Sequence, residues 1–115
     1  MQVKTSELTS AALDWVVAKC EGLSDFSTMQ SSRYYYSPST KWAQGGPIIE
    51  RETIRVGLID DSAPVIWSAQ LSDPFRIKSS VHSCIGPTAL VAAMRCYAAS
   101  KLGNTVEIPD ELIRA

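Results

Sequence analysis

Histidine and cysteine are scarce in this chain of 115 residues: His82 stands alone, and the only cysteines are Cys20, Cys84 and Cys96. A single imidazole leaves little with which to exchange protons near neutral pH, which argues against ordinary general acid–base catalysis. Three cysteines cannot all pair, no two have C-x-x-C spacing, and two fall in helical patterns, so they read as buried reduced thiols. His82 and Cys84 would share a face in an extended segment. A zinc site needs three or four ligands and a nucleophile needs an orienting third group, so their proximity is read as fortuitous. No apolar window approaches the ~20 residues of a membrane span, and Met1 to Leu8 lacks the apolar stretch of a signal peptide. The expectation is a soluble, cytoplasmic protein without a membrane partner. Charge of one sign is also lacking: eleven basic residues face twelve acidic ones and are spread evenly. The general attraction that drives nucleic-acid binding is therefore absent.

What is present fits one globular domain spanning residues 1–115, with no internal repeat and no linker. Thr9 or Ser10 can cap a first helix that runs to Glu21 and stops at Gly22. Leu8, Ala12, Leu13, Val16, Val17 and Cys20 form its apolar stripe, Trp15 lies at the side, and Asp14 and Lys19 are expected to face water or a groove edge. Residues 23 to 33 read as a loop, and a short strand begins at Tyr34. Ile48 to Ile59 read as extended, Asp60 to Pro64 as a turn, and Val65 to Leu71 as a strand with Val65, Trp67, Ala69 and Leu71 on one face. Phe75 to Lys78 suit a charged sheet edge, which would permit homodimerisation by strand pairing. The best-signalled element is a final helix, capped by Thr88, running from Ala89 to Leu102 and ended by Gly103. It should lie across the sheet, with Trp67, Met94 and Tyr97 in or near the core, while Arg95 is placed to anchor a backbone carbonyl or acidic loop. Val106 to Pro109 can pack as an extended tail, and Asp110 to Arg114 can add a terminal turn. The fold class expected is α+β: an antiparallel β-meander of three to four strands with an N-terminal and a C-terminal helix packed on one face.

The segment from Tyr34 to Glu52 concentrates aromatics, turn residues and charges. Ser37 to Thr40 and Gln44-Gly45-Gly46-Pro47 read as two turns that leave Lys41, Trp42 and Ala43 between them. An aromatic held between turns is either a lid on the core or an exposed contact. Candidate binding residues are Tyr36, Lys41, Trp42, Gln44, Gly45, Gly46, Glu50, Arg51 and Glu52. The glycines could offer backbone N–H groups to an anion, but Pro47 removes a donor and no helix start is expected after it, so the phosphate-loop patterns fail. Glu50 and Glu52 on one strand face would be expensive beside Ile48 and Ile54, so a bulge, a surface ion-pair cluster or a pocket mouth is expected there. No catalytic residue, cofactor or metal is assigned.

Several blocks carry a resemblance: Val3 to Leu8, Ala12-Leu13-Asp14-Trp15, Tyr36 to Thr40, Trp42 to Glu50, and Ala92 to Tyr97. Together they are similar to the phage NinX-like family of small phage and prophage proteins, known as a domain of unknown function. Lys41 stands where an acidic residue is more usual in that family, Ala89 where a proline is usual, and residues 70 to 85 match nothing in it. The resemblance implies a phage or prophage accessory protein acting in the cytoplasm of the bacterial host, and implies no activity. From the residues, the first reading is a non-enzymatic module that binds a host or phage protein, with Trp42 as anchor. The alternative is a small-ligand-binding protein or hydrolase using the Gly45-Gly46 turn and the Glu50/Glu52 pair, with Trp42 and Tyr36 as pocket walls.

Overall fold

The computed structural model describes residues 1–22, 36–72 and 81–110. In chain order the elements are β1 (Gln2–Lys4), a single 3-10 turn (Thr5–Glu7), α1 (Ser10–Cys20), α2 (Trp42–Glu52), β2 (Arg55–Asp60), β3 (Ile66–Ser72), β4 (Val81–Gly86), α3 (Ala89–Leu102) and β5 (Thr105–Glu107). The expected α+β class is what forms. An antiparallel sheet in the order β2-β3-β4 carries helices on one side, and β1 pairs antiparallel with β5 in a separate two-stranded ladder.

Helix α3 lies directly on the sheet, and α1 and α2 pack against it. It is buried almost all round because small side chains, Ala92, Ala93, Ala98 and Ala99, alternate with Leu90, Met94 and Tyr97 and let neighbours approach closely. The Thr88 Oγ1 accepts from the Val91 N–H at 3.1 Å, and Gly103 ends the helix at a φ of +87°. Leu102, at the end of the helix, is exposed. From β3, Ala69 is buried while Trp67 and Leu71 pack at the core margin, as the alternation predicts; Val65, expected on the same face, precedes the strand and is exposed. From α1, Ala12, Leu13, Val16 and Val17 fill the core, joined by Leu8 just before the helix. Arg95 does act as an anchor: its Nε donates to the Leu8 carbonyl at 2.7 Å and one terminal nitrogen to the Ile85 carbonyl at 2.8 Å. The three thiols are free; burial pushes each above its ordinary range, Cys96 to about 12, which favours the protonated form.

Three expectations are corrected. The Gln44-Gly45-Gly46-Pro47 turn does not exist, because those residues are inside α2. The extended run from Ile48 is helical through Glu52, reverses at Thr53 in the left-handed region (φ +51°), and becomes strand only at Arg55. Asp14, expected to face water or a groove edge, is 2% exposed. The strand expected from Tyr34, the edge at Phe75 to Lys78, the loop at 23 to 33 and most of the terminal turn lie outside the described residues; Tyr36 itself is in no strand.

Why α2 tolerates Gly-Gly-Pro follows from two separate steric facts. A proline disfavours helical backbone in the residue before it partly through that residue's Cβ, and Gly46 has none. At Gly45, a Cβ would collide with the Pro38 carbonyl oxygen and lie 2.7 Å from Leu90 Cδ2, so glycine is what allows α2 to sit against the chain before it and against α3. Close packing has overridden weak helix propensity.

Candidate functional site

Asp14 organises the entry to α2. Its Oδ1 accepts the Ser39 N–H and its Oδ2 the Ser37 hydroxyl, each at 3.0 Å. Burial pushes the carboxyl above its ordinary value, and the hydrogen bonds from Ser39 and Ser37 restrain that rise. Around this acid the chain makes a tight turn in which the Thr40 and Lys41 N–H groups both donate to the Ser37 carbonyl, at 3.1 and 2.9 Å. The Gln44 side-chain oxygen reaches back to accept the Ser37 N–H. The Ser37 to Ser39 segment is buried, and Gly45 rests against it. The polar residues of the Ser-Pro-Ser-Thr block are thus an internal tie between α1 and α2.

That tie holds the first turn of α2 in a fixed place, and Trp42 projects from it 58% exposed. Lys41, Ala43 and Pro47 are exposed beside it. A Cβ added at Gly46 would lie 3.9 Å from the indole Cε3, an ordinary van der Waals contact, so the ring runs close to Gly46. Of the two expectations for Trp42, lid or contact residue, the exposed position is observed.

At the other end of α2, Arg51 uses both terminal nitrogens on the Glu21 carboxylate, at 3.0 and 2.7 Å, and its Nε on Glu52 at 2.9 Å. The Tyr97 hydroxyl donates to Glu21 at 2.5 Å, and the Lys101 ammonium lies 3.5 Å from Glu52. The ends of α1, α2 and α3 are therefore joined by one charged cluster. Hydrogen bonding from Arg51 holds the Glu21 carboxyl below its ordinary value. Burial, and then the Glu21 and Asp14 charges, push the Tyr36 phenol up to about 12; Tyr36 is half-buried directly before the Ser37 turn.

The nine candidate residues are divided by this arrangement. Lys41, Trp42, Gln44, Gly45 and Gly46 gather at the start of α2, and Glu50, Arg51 and Glu52 at its end, with Trp42 and Glu52 roughly 15 Å apart along the axis at 1.5 Å per residue. Glu50 and Glu52 point about 200° apart around a helix. Glu50 is exposed, whereas Glu52 is ion-paired, so the expected surface ion-pair cluster forms around Glu52 and the shared carboxylate pocket does not. Two described hollows, of about 430 and 410 Å³, lie elsewhere, one beside Lys4, Ser83 and Cys84 and the other beside Trp15, Lys19 and Ile108. Among the described residues no group of three or more His, Cys, Asp and Glu could hold a metal, and no helix is long and apolar enough to cross a membrane. Sequence reasoning missed Asp14, Ser37, Glu21 and Tyr97; the signal for the first two was a carboxylate and a Ser-Pro-Ser-Thr block, each unexplained alone.

These features define a class: a small α+β fold whose helices are locked by polar ties and which, among the described residues, offers one exposed aromatic, at a helix start. The chain belongs to the bacteriophage P22 NinX family, whose model matches residues 4–101, from β1 into the last turn of α3. It is thus a phage accessory protein by family. Comparison with curated proteins gives no match.

Proposed function

We propose that this phage accessory protein is a non-enzymatic binding module, acting in the host cytoplasm, that engages a host or phage protein through the first turn of α2. The observation that carries the reading is the contrast at Trp42: an indole left in solvent on a backbone fixed by Asp14, Ser37, Gln44 and Gly45. A pre-positioned aromatic loses little conformational freedom on binding, which is why Trp is enriched among the residues that dominate interface energies. Lys41 adds a cation and Ala43 and Pro47 a small apolar margin. The test is quantitative affinity purification from phage-infected host cells with the wild-type protein and Trp42→Ala side by side. Selective loss of one wild-type partner, confirmed by binding of the two purified proteins, supports the reading. Identical partner sets at equal abundance refute it.

A further inference from the structure

Among the described residues β2 is an edge strand, paired with β3 on one side only. Leu58 and Ile59 on it are 48% and 59% exposed, and Val65 across the hairpin is 42% exposed. Such an edge offers a row of backbone donors and acceptors to another strand.

The pattern of charge along β2 is self-complementary. Arg55 opens the strand and Asp60 closes it. Arg55 is opposite Gln70, Gly57 opposite Ser68 and Asp60 opposite Ile66, so the three share the sheet face turned away from the helices. Val56 and Leu58, opposite Ala69 and Trp67, share the other. In an unbroken strand Asp60 would fall on the face opposite to Arg55. The register shift at Ile59, which has no partner in the ladder, moves it to the same face. Unlike Arg51 and Arg95, Arg55 makes no side-chain hydrogen bond or ion pair among the described residues. Asp60 accepts both Ser62 donors on Oδ1, which leaves Oδ2 for a further donor.

We propose that β2 pairs antiparallel with β2 of a second copy about a twofold axis at Gly57, placing Arg55 of each copy opposite Asp60 of the other. Opposed residues in an antiparallel pair must share a face, and this register meets that condition at every pair: Arg55 with Asp60, Val56 with Leu58, Gly57 with its own image. The two three-stranded sheets become one continuous sheet. Two ion pairs fix the register, and Leu58 is drawn out of solvent. A bulge ordinarily discourages edge pairing by twisting the strand; here Ile59 is the one unpaired residue between the Leu58–Val56 and Asp60–Arg55 pairs, and its insertion is what brings Asp60 opposite Arg55. The surface joined is small, so the dimer is a weak one that forms at high concentration.

The test is sedimentation of the full chain at low salt from micromolar to millimolar concentration, with circular dichroism to verify folding. Wild type should shift from monomer to dimer. Arg55→Asp alone and Asp60→Arg alone should each weaken the dimer about tenfold, because each places like charges opposite one another twice. Mixing the two variants should restore association, since both cross-strand pairs then become opposite in sign. If Asp60→Arg does not fold, amide exchange on wild type gives an independent reading: exchange from Val56 to Leu58 should slow as concentration rises. A monomer throughout with unchanged exchange, or single variants that associate as well as wild type, overturns the proposal.

Discussion

At the start of α2 the fold is held by contacts that exclude water: a buried carboxylate, a buried turn and a glycine pressed against a carbonyl. At its end, about 15 Å away, the same helix is held by Arg51, Glu21, Glu52 and Lys101, whose side chains remain partly in solvent. Buried hydrogen bonds are neither screened by salt nor easily replaced by water, whereas exposed ion pairs are weakened by both. The first end therefore sets where Trp42 sits, and the second adjusts how firmly the helix ends are drawn together.

Substitutions can break this contrast at its strong end first. Gly45→Ala drives a Cβ into the Pro38 carbonyl and Leu90, and should lower unfolding free energy by about 3 kcal/mol in urea titration. Asp14→Ala orphans the Ser39 N–H and Ser37 hydroxyl, and should cost about 2 kcal/mol by the same measurement, with little dependence on salt. Glu21→Gln should cost no more than about 1 kcal/mol, and the loss should shrink as salt is added.

The two acids also separate by pH. Glu21 has its folded pKa below the ordinary 4.5, so its contribution is present above that value and is lost as pH falls through the folded pKa. Asp14 is raised above its ordinary 3.8, so its linkage has the opposite sign: stability associated with its proton is present below 3.8 and lost as pH rises through the folded pKa. Thermal melts across the acid range should therefore show a flatter low-pH decline for Glu21→Gln than for wild type. A steeper decline would contradict the assignment. The smallest stability effect is expected for Trp42→Ala, within about 0.5 kcal/mol of wild type in urea titration, because the ring is mostly in solvent. A large loss there would mean that the indole serves the core instead of a partner.

How legible each region was follows from how local its determinants are. Helix α3 could be read because Thr88, the apolar run and Gly103 all act within a few residues of one another. Strand β3 could be read because alternation is a property of neighbours. Helix α2 could not, since Gly45 and Pro47 look like turn punctuation until Pro38 and Leu90 are brought beside them. Asp14 sits where an amphipathic helix would show water a carboxylate; it is buried because a turn 23 to 25 residues later closes over it. Trp42 reads in the sequence as either a lid or an exposed contact, and only the direction of α2 leaves it in solvent. The Glu50/Glu52 pair failed as a site for the same reason, since a helix in place of a strand sends the two side chains apart.

The ladder between β1 and β5 bears on how the chain comes to be folded. Gln2 lies opposite Glu107, and the Ile108 N–H donates to the Met1 carbonyl at 2.9 Å. During synthesis β1 leaves the ribosome long before β5, its partner in the ladder. Contacts so distant in sequence form late and slowly. Closure of this ladder is thus a step taken only after translation has passed Glu107, and a chain interrupted earlier would leave Val3 without its cover.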